Sequence, residues 1–160
     1  MRIDVVTPCF PLPGHEHYGR SKFETSARLN ELADVRVFCT VAQYPPLLGS
    51  RTKQGQDLTR LEWFVPEVNG QYVPYPAVPM LSRPLKAYAC YRRLYEAVRR
   101  NGPADLILNY WLYPEGCAAV MLGRKFGVPV VVGAIGSDLC ARRVLARAIL
   151  PGGLSRTRRA

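Results

Sequence analysis

Residues 104–139, ADLILNYWLYPEGCAAVMLGRKFGVPVVVGAIGSDL, decide the fold. Ala104-Asp105-Leu106-Ile107-Leu108 is a short apolar run after the breaker cluster Asn101-Gly102-Pro103, the pattern of a buried strand. Pro114 and Glu115 read as the opening of a helix, because a first-turn proline sacrifices no hydrogen bond and a carboxylate there complements the helix dipole. Ala118, Ala119, Leu122 and Phe126 follow at helical spacing, and Gly127 reads as the C′ stop. Val128-Pro129-Val130-Val131-Val132 lacks alternation and reads as a strand covered on both faces. Two strands joined by a helix run parallel, and ligands of such sheets bind beyond the carboxyl ends of the strands. At those ends stand Asn109-Tyr110-Trp111 and Gly133-Ala134-Ile135-Gly136-Ser137-Asp138. Each of these residues taken singly also fits a packing or helix-capping role.

The opening repeats the arrangement. Arg2–Thr7 is a strand, residues 8–19 a loop rich in proline and glycine, and residues 20–33 a helix with Phe23, Ala27 and Leu32 as its inner face. Val35–Cys39 is the second strand. Residues 41–67 are poorly periodic and read mostly as loop. Gln71–Tyr75 is a third strand whose Pro74 points to a sheet edge or a strand end. Pro84–Arg100 is a helix with an apolar stripe of Leu85, Tyr88, Tyr91 (or Arg92), Leu94, Tyr95 and Val98, and Arg99 and Arg100 complement its dipole. This alternation predicts an α/β domain: a Rossmann-like parallel sheet with helices on both faces.

Composition bounds the remaining possibilities. The 160 residues suit one domain, here taken as 1–140, followed by a basic tail at 141–160. No apolar run has membrane-spanning length, and Met1-Arg2 leads into a strand with no signal-peptide core, which predicts a cytoplasmic protein. The five cysteines form no CxxC pair and read as reduced, packed thiols. Of the net charge of +10, six arginines from Arg142 onward contribute 6, so residues 1–141 carry 10 − 6 = +4. The body carries no zinc-finger spacing, RNP aromatics or helix-turn-helix, which argues against nucleic acid as its partner.

The chemistry on offer is sparse. The first loop lacks GxGxxG, but Gly19-Arg20-Ser21 at a helix start suits the approach of a phosphate. A turn-forming loop explains the same glycines equally well. His15 and His17 flank Glu16 without a further metal ligand in view, so a polar or phosphate-contacting loop is the better reading and no metal is expected. GxSxG is absent, as are the clustered acids of a phosphoacceptor domain.

Together these residues resemble the N-terminal, acceptor-side domain of family 4 glycosyltransferases, retaining enzymes of the GT-B fold. Asn109-Tyr110-Trp111-Leu112-Tyr113-Pro114-Glu115-Gly116 is similar to the family's W-x-Y-P-[DE]-G run. Val130–Val132 followed by Gly136-Ser137-Asp138 resembles its strand and GSD loop, and the opening strand, Pro8–Gly14 loop and Gly19-Arg20 helix start are similar to its first βα unit. The chain departs from the family at Ile135 and Asn109, where relatives often carry histidine. The resemblance implies half of a two-domain cleft, with Gly14, His17, Gly19, Arg20, Trp111, Ser137 and Asp138 along the acceptor and phosphate side. It implies no cofactor; a nucleotide-sugar donor serves as substrate of the full-length relatives, held by a second domain that also carries the catalytic paired glutamates. The implied partners are a sugar or lipid-linked acceptor and a donor domain that is missing from these residues or separately encoded. Peripheral contact at the inner membrane face is compatible with the basic body, and a stand-alone binding module or a basic adaptor for nucleic acid or anionic membrane is the rival reading. The abrupt arginine-rich tail suggests a frameshift or truncation, and hence an enzyme half without activity of its own.

Overall fold

The computed structural model describes residues 1–11, 17–44, 68–77 and 83–134. They form one all-parallel sheet of β1 (Arg2–Thr7), β2 (Asp34–Gln43), β3 (Asn69–Pro76), β4 (Leu106–Asn109) and β5 (Val130–Val132), in the order β3-β2-β1-β4-β5. Helix α1 (Arg20–Asn30) links β1 to β2, α2 (Arg83–Asn101) precedes β4, and α3 (Cys117–Phe126) precedes β5. The sheet grows in one direction from β1 to β2 and β3, and in the other from β1 to β4 and β5. The topological switch therefore lies between β1 and β4. The Rossmann-like α/β class expected from the sequence is the class observed.

Strand alternation sorts the core onto the two faces. Ile3, Val5, Val35 and Val37 pack with Phe23 and Ala27 of α1. Val6, Phe38, Val73, Tyr75 and Ile107 pack with Cys90, Leu94 and Val98 of α2 and Ala118, Ala119 and Leu122 of α3. Because consecutive residues of β1 and β2 point to opposite covered faces, both strands read as nearly unbroken apolar runs. Gly123 lets α3 lie close to β5: a Cβ there would stand 2.2 Å from Val130 Cγ2 and 2.7 Å from the Val128 carbonyl.

One charged pair breaks the apolar runs. Asp4 and Arg36 are register partners in adjacent parallel strands, with side chains 0% and 8% exposed. Arg36 Nε and Nη2 donate to the two carboxylate oxygens of Asp4 at 2.8 and 2.9 Å. The same guanidinium donates to the carbonyls of Asn101 and Gly102, both at 2.8 Å. Those carbonyls end α2, where Gly102 turns the chain at φ +76. A single planar fork thus joins β1, β2 and the C-terminus of α2, using donors a lysine does not possess. Burial pushes the Asp4 carboxyl above the usual carboxylate range, against the pull of the Arg36 hydrogen bonds.

Several expectations change. Strand β2 runs on through Val41–Gln43, where loop is expected; residues 45–67 lie outside the described residues. Helix α1 ends at Asn30, and Leu32, expected inside, is 86% exposed because it sits in the turn beyond the helix. Leu85 and Tyr88 also point outward; the buried stripe of α2 is Ala87, Cys90, Leu94, Ala97 and Val98, made largely of smaller side chains that let the helix approach the sheet. Strand β3 is an edge of this sheet, as its Pro74 suggests. Strand β5 lies at the other edge, and Val131 is 52% exposed, where full burial was expected. The tail at 141–160 and its boundary lie outside the described residues.

Candidate functional site

Val6 and Asn109 are register partners, so the segments that leave β1 and β4 emerge side by side at the switch. On the β1 side, the Thr7 hydroxyl lies 3.2 Å from both the Cys9 amide, which donates to it, and the Cys9 carbonyl, which accepts from it. This turn leads the chain across the start of α1. There Gly19 caps the helix at φ 72, and a Cβ on it would lie 2.6 Å from the Cys9 carbonyl carbon and the Phe10 nitrogen. Both the left-handed conformation and the backbone contact demand glycine. Phe10 then packs edge-on against Phe23, with ring centroids 5.9 Å apart.

On the β4 side, buried Asn109 acts as a clamp. Its Nδ2 donates to the Val6 carbonyl at 3.2 Å, and its Oδ1 accepts from the Trp111 amide at 2.9 Å. The asparagine thereby ties β4 to β1 and bends the chain toward Trp111, which is half-buried and extended. A kinked turn, Leu112–Gly116, follows, with an extended Tyr113 and a cis Tyr113–Pro114 peptide. Gly116 fits beneath the Trp111 carbonyl, where a Cβ would come within 2.6 Å.

Glu115 takes a place that the sequence did not predict. It stands in the helical turn Leu112–Gly116 that runs into α3 at Cys117, where the sequence places a helix opening, but its side chain turns inward. It is 2% exposed, and its Oε1 accepts from the Thr40 hydroxyl of β2 at 3.3 Å. Around it, burial raises the Tyr75 phenol and the Cys90 thiol, and the nearby Glu115 charge raises both further. Burial also raises the Cys39 thiol, helped by Cys9 and then by Glu115. The carboxylate therefore braces the W-x-Y-P-E-G turn against β2.

A cation spans the switch. Lys22 Nζ, in the first turns of α1, stands 4.5 Å from the centroid of the Tyr110 ring. Burial raises the Tyr110 phenol above its ordinary value. The sequence offered no sign of this contact, since Lys22 reads as a solvated helix residue. Cys9 and Tyr18 meet at the same end, Sγ to hydroxyl 3.4 Å.

The sequence-derived candidates divide accordingly. Gly19 and Trp111 lie at the carboxyl edge of adjacent strands. Arg20 and His17 are at the same end; Arg20 Nε donates to Glu24 at 2.9 Å along the exposed face of α1, and His17 is exposed. Gly14, Ser137 and Asp138 lie outside the described residues, as do His15 and Glu16. Gly133, directly after β5, donates its amide to the Asn109 carbonyl at 2.7 Å. Among the described residues no three His, Cys, Asp or Glu side chains are grouped to hold a metal ion, and no helix is long and apolar enough to cross a membrane. Compared with known proteins, the chain matches no protein-family model and no curated protein.

Proposed function

We propose that this chain forms the acceptor-side half of a retaining, nucleotide-sugar-dependent glycosyltransferase. The observation that carries the reading is where its most family-like run lies. Asn109–Gly116 leaves β4 at the topological switch, directly beside the Gly19 helix start that follows β1. Ligands of doubly wound sheets bind at that crevice. The aromatic surface of Trp111 suits the apolar face of a sugar ring, and the start of α1 suits an anionic group. Among the described residues, the Arg20 side chain pairs with exposed Glu24, a contact worth little, so an arriving phosphate can recruit it cheaply. The donor nucleotide belongs to a second domain, in the same polypeptide or separately encoded. Residues 1–160 alone are therefore expected to release no nucleoside diphosphate from a nucleotide sugar.

The test is an amide chemical-shift titration of the 160-residue chain with methyl glycosides and sugar phosphates. Shifts confined to Cys9, Gly19–Lys22 and Tyr110–Trp111 support the reading. Shifts confined to other surfaces, or none at tens of millimolar ligand, overturn it. Sugar transfer by the isolated chain would overturn the division of labour between two domains.

A further inference from the structure

Helix α2 buries one face against the sheet and turns an unusual face outward. Helical spacing brings Leu85, Tyr88, Arg92 and Arg99 onto one outer stripe. Leu85 is 64% and Tyr88 52% exposed, and Arg92, Arg93, Arg99 and Arg100 are exposed as well. On one flank a ladder of rings runs from exposed Tyr88 to half-buried ones: Tyr88 to Tyr91 at 6.1 Å, Tyr91 to Tyr95 at 6.0 Å and Tyr95 to Phe126 of α3 at 5.5 Å. Just before Phe126, Arg124 and Lys125 are exposed on α3. Arg93 pairs with Glu96 at 3.3 Å, the one acid of the helix. Among the described residues, Arg92, Arg99, Arg100, Arg124 and Lys125 form no ion pair.

We infer that the outer face of α2, with the end of α3, is a docking surface for an anionic lipid bilayer. Five exposed cations with no acidic partner among the described residues make this face complementary to a negatively charged surface, and the same outer stripe carries exposed leucine and tyrosine. Tyrosine rings and arginine heads suit the headgroup level, where an apolar body and a polar tip are both satisfied. The helix is 19 residues, about 28 Å long, and its outer face is convex, which fits a plane. A nucleic acid would call for ring faces open to bases. Here Tyr91 and Tyr95 are half-buried and packed in the ladder, leaving the outer stripe to headgroups. This inference does not rest on the glycosyltransferase reading, and either can fail alone.

The experiment is flotation of the full 160-residue chain with vesicles of phosphatidylcholine and phosphatidylserine at about two to one, beside vesicles of phosphatidylcholine alone. The chain is expected to float with the anionic vesicles only, and less so as salt is raised. R92Q/R99Q removes two exposed cations, each contributing about fivefold, so partitioning should weaken about 25-fold while the circular dichroism spectrum stays unchanged. In a Y88W variant, tryptophan emission should shift to the blue on adding anionic vesicles. Equal flotation with neutral vesicles overturns the inference, as does flotation that R92Q/R99Q leaves unchanged. Binding to duplex DNA with none to vesicles overturns it too.

Discussion

Arg36 is where the fold has most to lose from one substitution. Arg36→Met keeps the length and apolar stem of the side chain but removes all four of its hydrogen bonds. The Asp4 carboxylate, fully buried, is left without its cation, and the Asn101 and Gly102 carbonyls lose their donors. Removing one partner of a buried pair costs about 3–5 kcal/mol, most of it from stranding the other charge. The penalty should depend on pH in a definite sense. The Asp4 carboxyl is already raised by burial, and without Arg36 it rises further. A raised folded-state value means that the native variant takes up a proton before the unfolded chain does. Its stability relative to wild type should therefore recover as pH falls from neutral toward 5. Adding Asp4→Leu to R36M removes the stranded charge and should regain about 1–2 kcal/mol at neutral pH, even though it is a second core substitution. Urea unfolding followed by circular dichroism at both pH values measures each term. An R36M cost below about 1 kcal/mol, or a double variant less stable than R36M, would refute the assignment of the stranded carboxylate as the main source of the loss.

Three further outcomes follow from the geometry. Gly19→Ala and Gly127→Ala both place a side chain at a φ near +70, but only Gly19 is crowded by backbone. Gly127→Ala should cost about 1–2 kcal/mol and Gly19→Ala about 1–3 kcal/mol more in the same urea assay; equal costs would discard the close contact with the Cys9–Phe10 peptide. Alkaline pH should destabilise the fold. Cys39, Cys90, Tyr72 and Tyr75 are held above their ordinary values, so above about pH 9 the unfolded chain releases protons that the native chain keeps. The two thiols alone give a loss of about 2 kcal/mol between about pH 9 and 10, and a flat stability curve over that range would contradict their burial. Brief iodoacetamide treatment of the native chain should modify half-exposed Cys9 and Cys117 and spare buried Cys39 and Cys90, read by peptide mass mapping; early labelling of Cys90 would contradict the packing under α2.

The sequence disclosed the order of elements because apolar runs and breakers are local signals. It disclosed the inner residues less well. Leu32, Leu85 and Tyr88 have the size and spacing of core residues, yet the sheet selects the small side chains of α2, and Leu32 falls just past the end of its helix. The Asp4–Arg36 pair joins positions 32 residues apart. Its one local trace is an acid and a base at matching places in two successive apolar strands, and a charge inside a strand is easily taken for a sheet edge. Glu115 does stand at a helix start, as the Pro-Glu pair suggests, but the kinked turn carries its carboxylate inward to Thr40, which no local rule foretells. Lys22 against Tyr110 could not be read at all, because it depends on the switch between β1 and β4.

The contact between Gly19 and the Cys9–Phe10 peptide also bears on how this edge of the molecule can diverge. It brings the two ends of the segment between Phe10 and Gly19 to one point, so the length of chain between them is a nearly free variable. Doubling a closed loop costs only about 0.6 kcal/mol of closure entropy. Chains of very different length and composition could be exchanged there while β1 and α1 remain as they are. Selection, or an engineer, can thus replace this segment as a cassette, provided that glycine is kept at its far end.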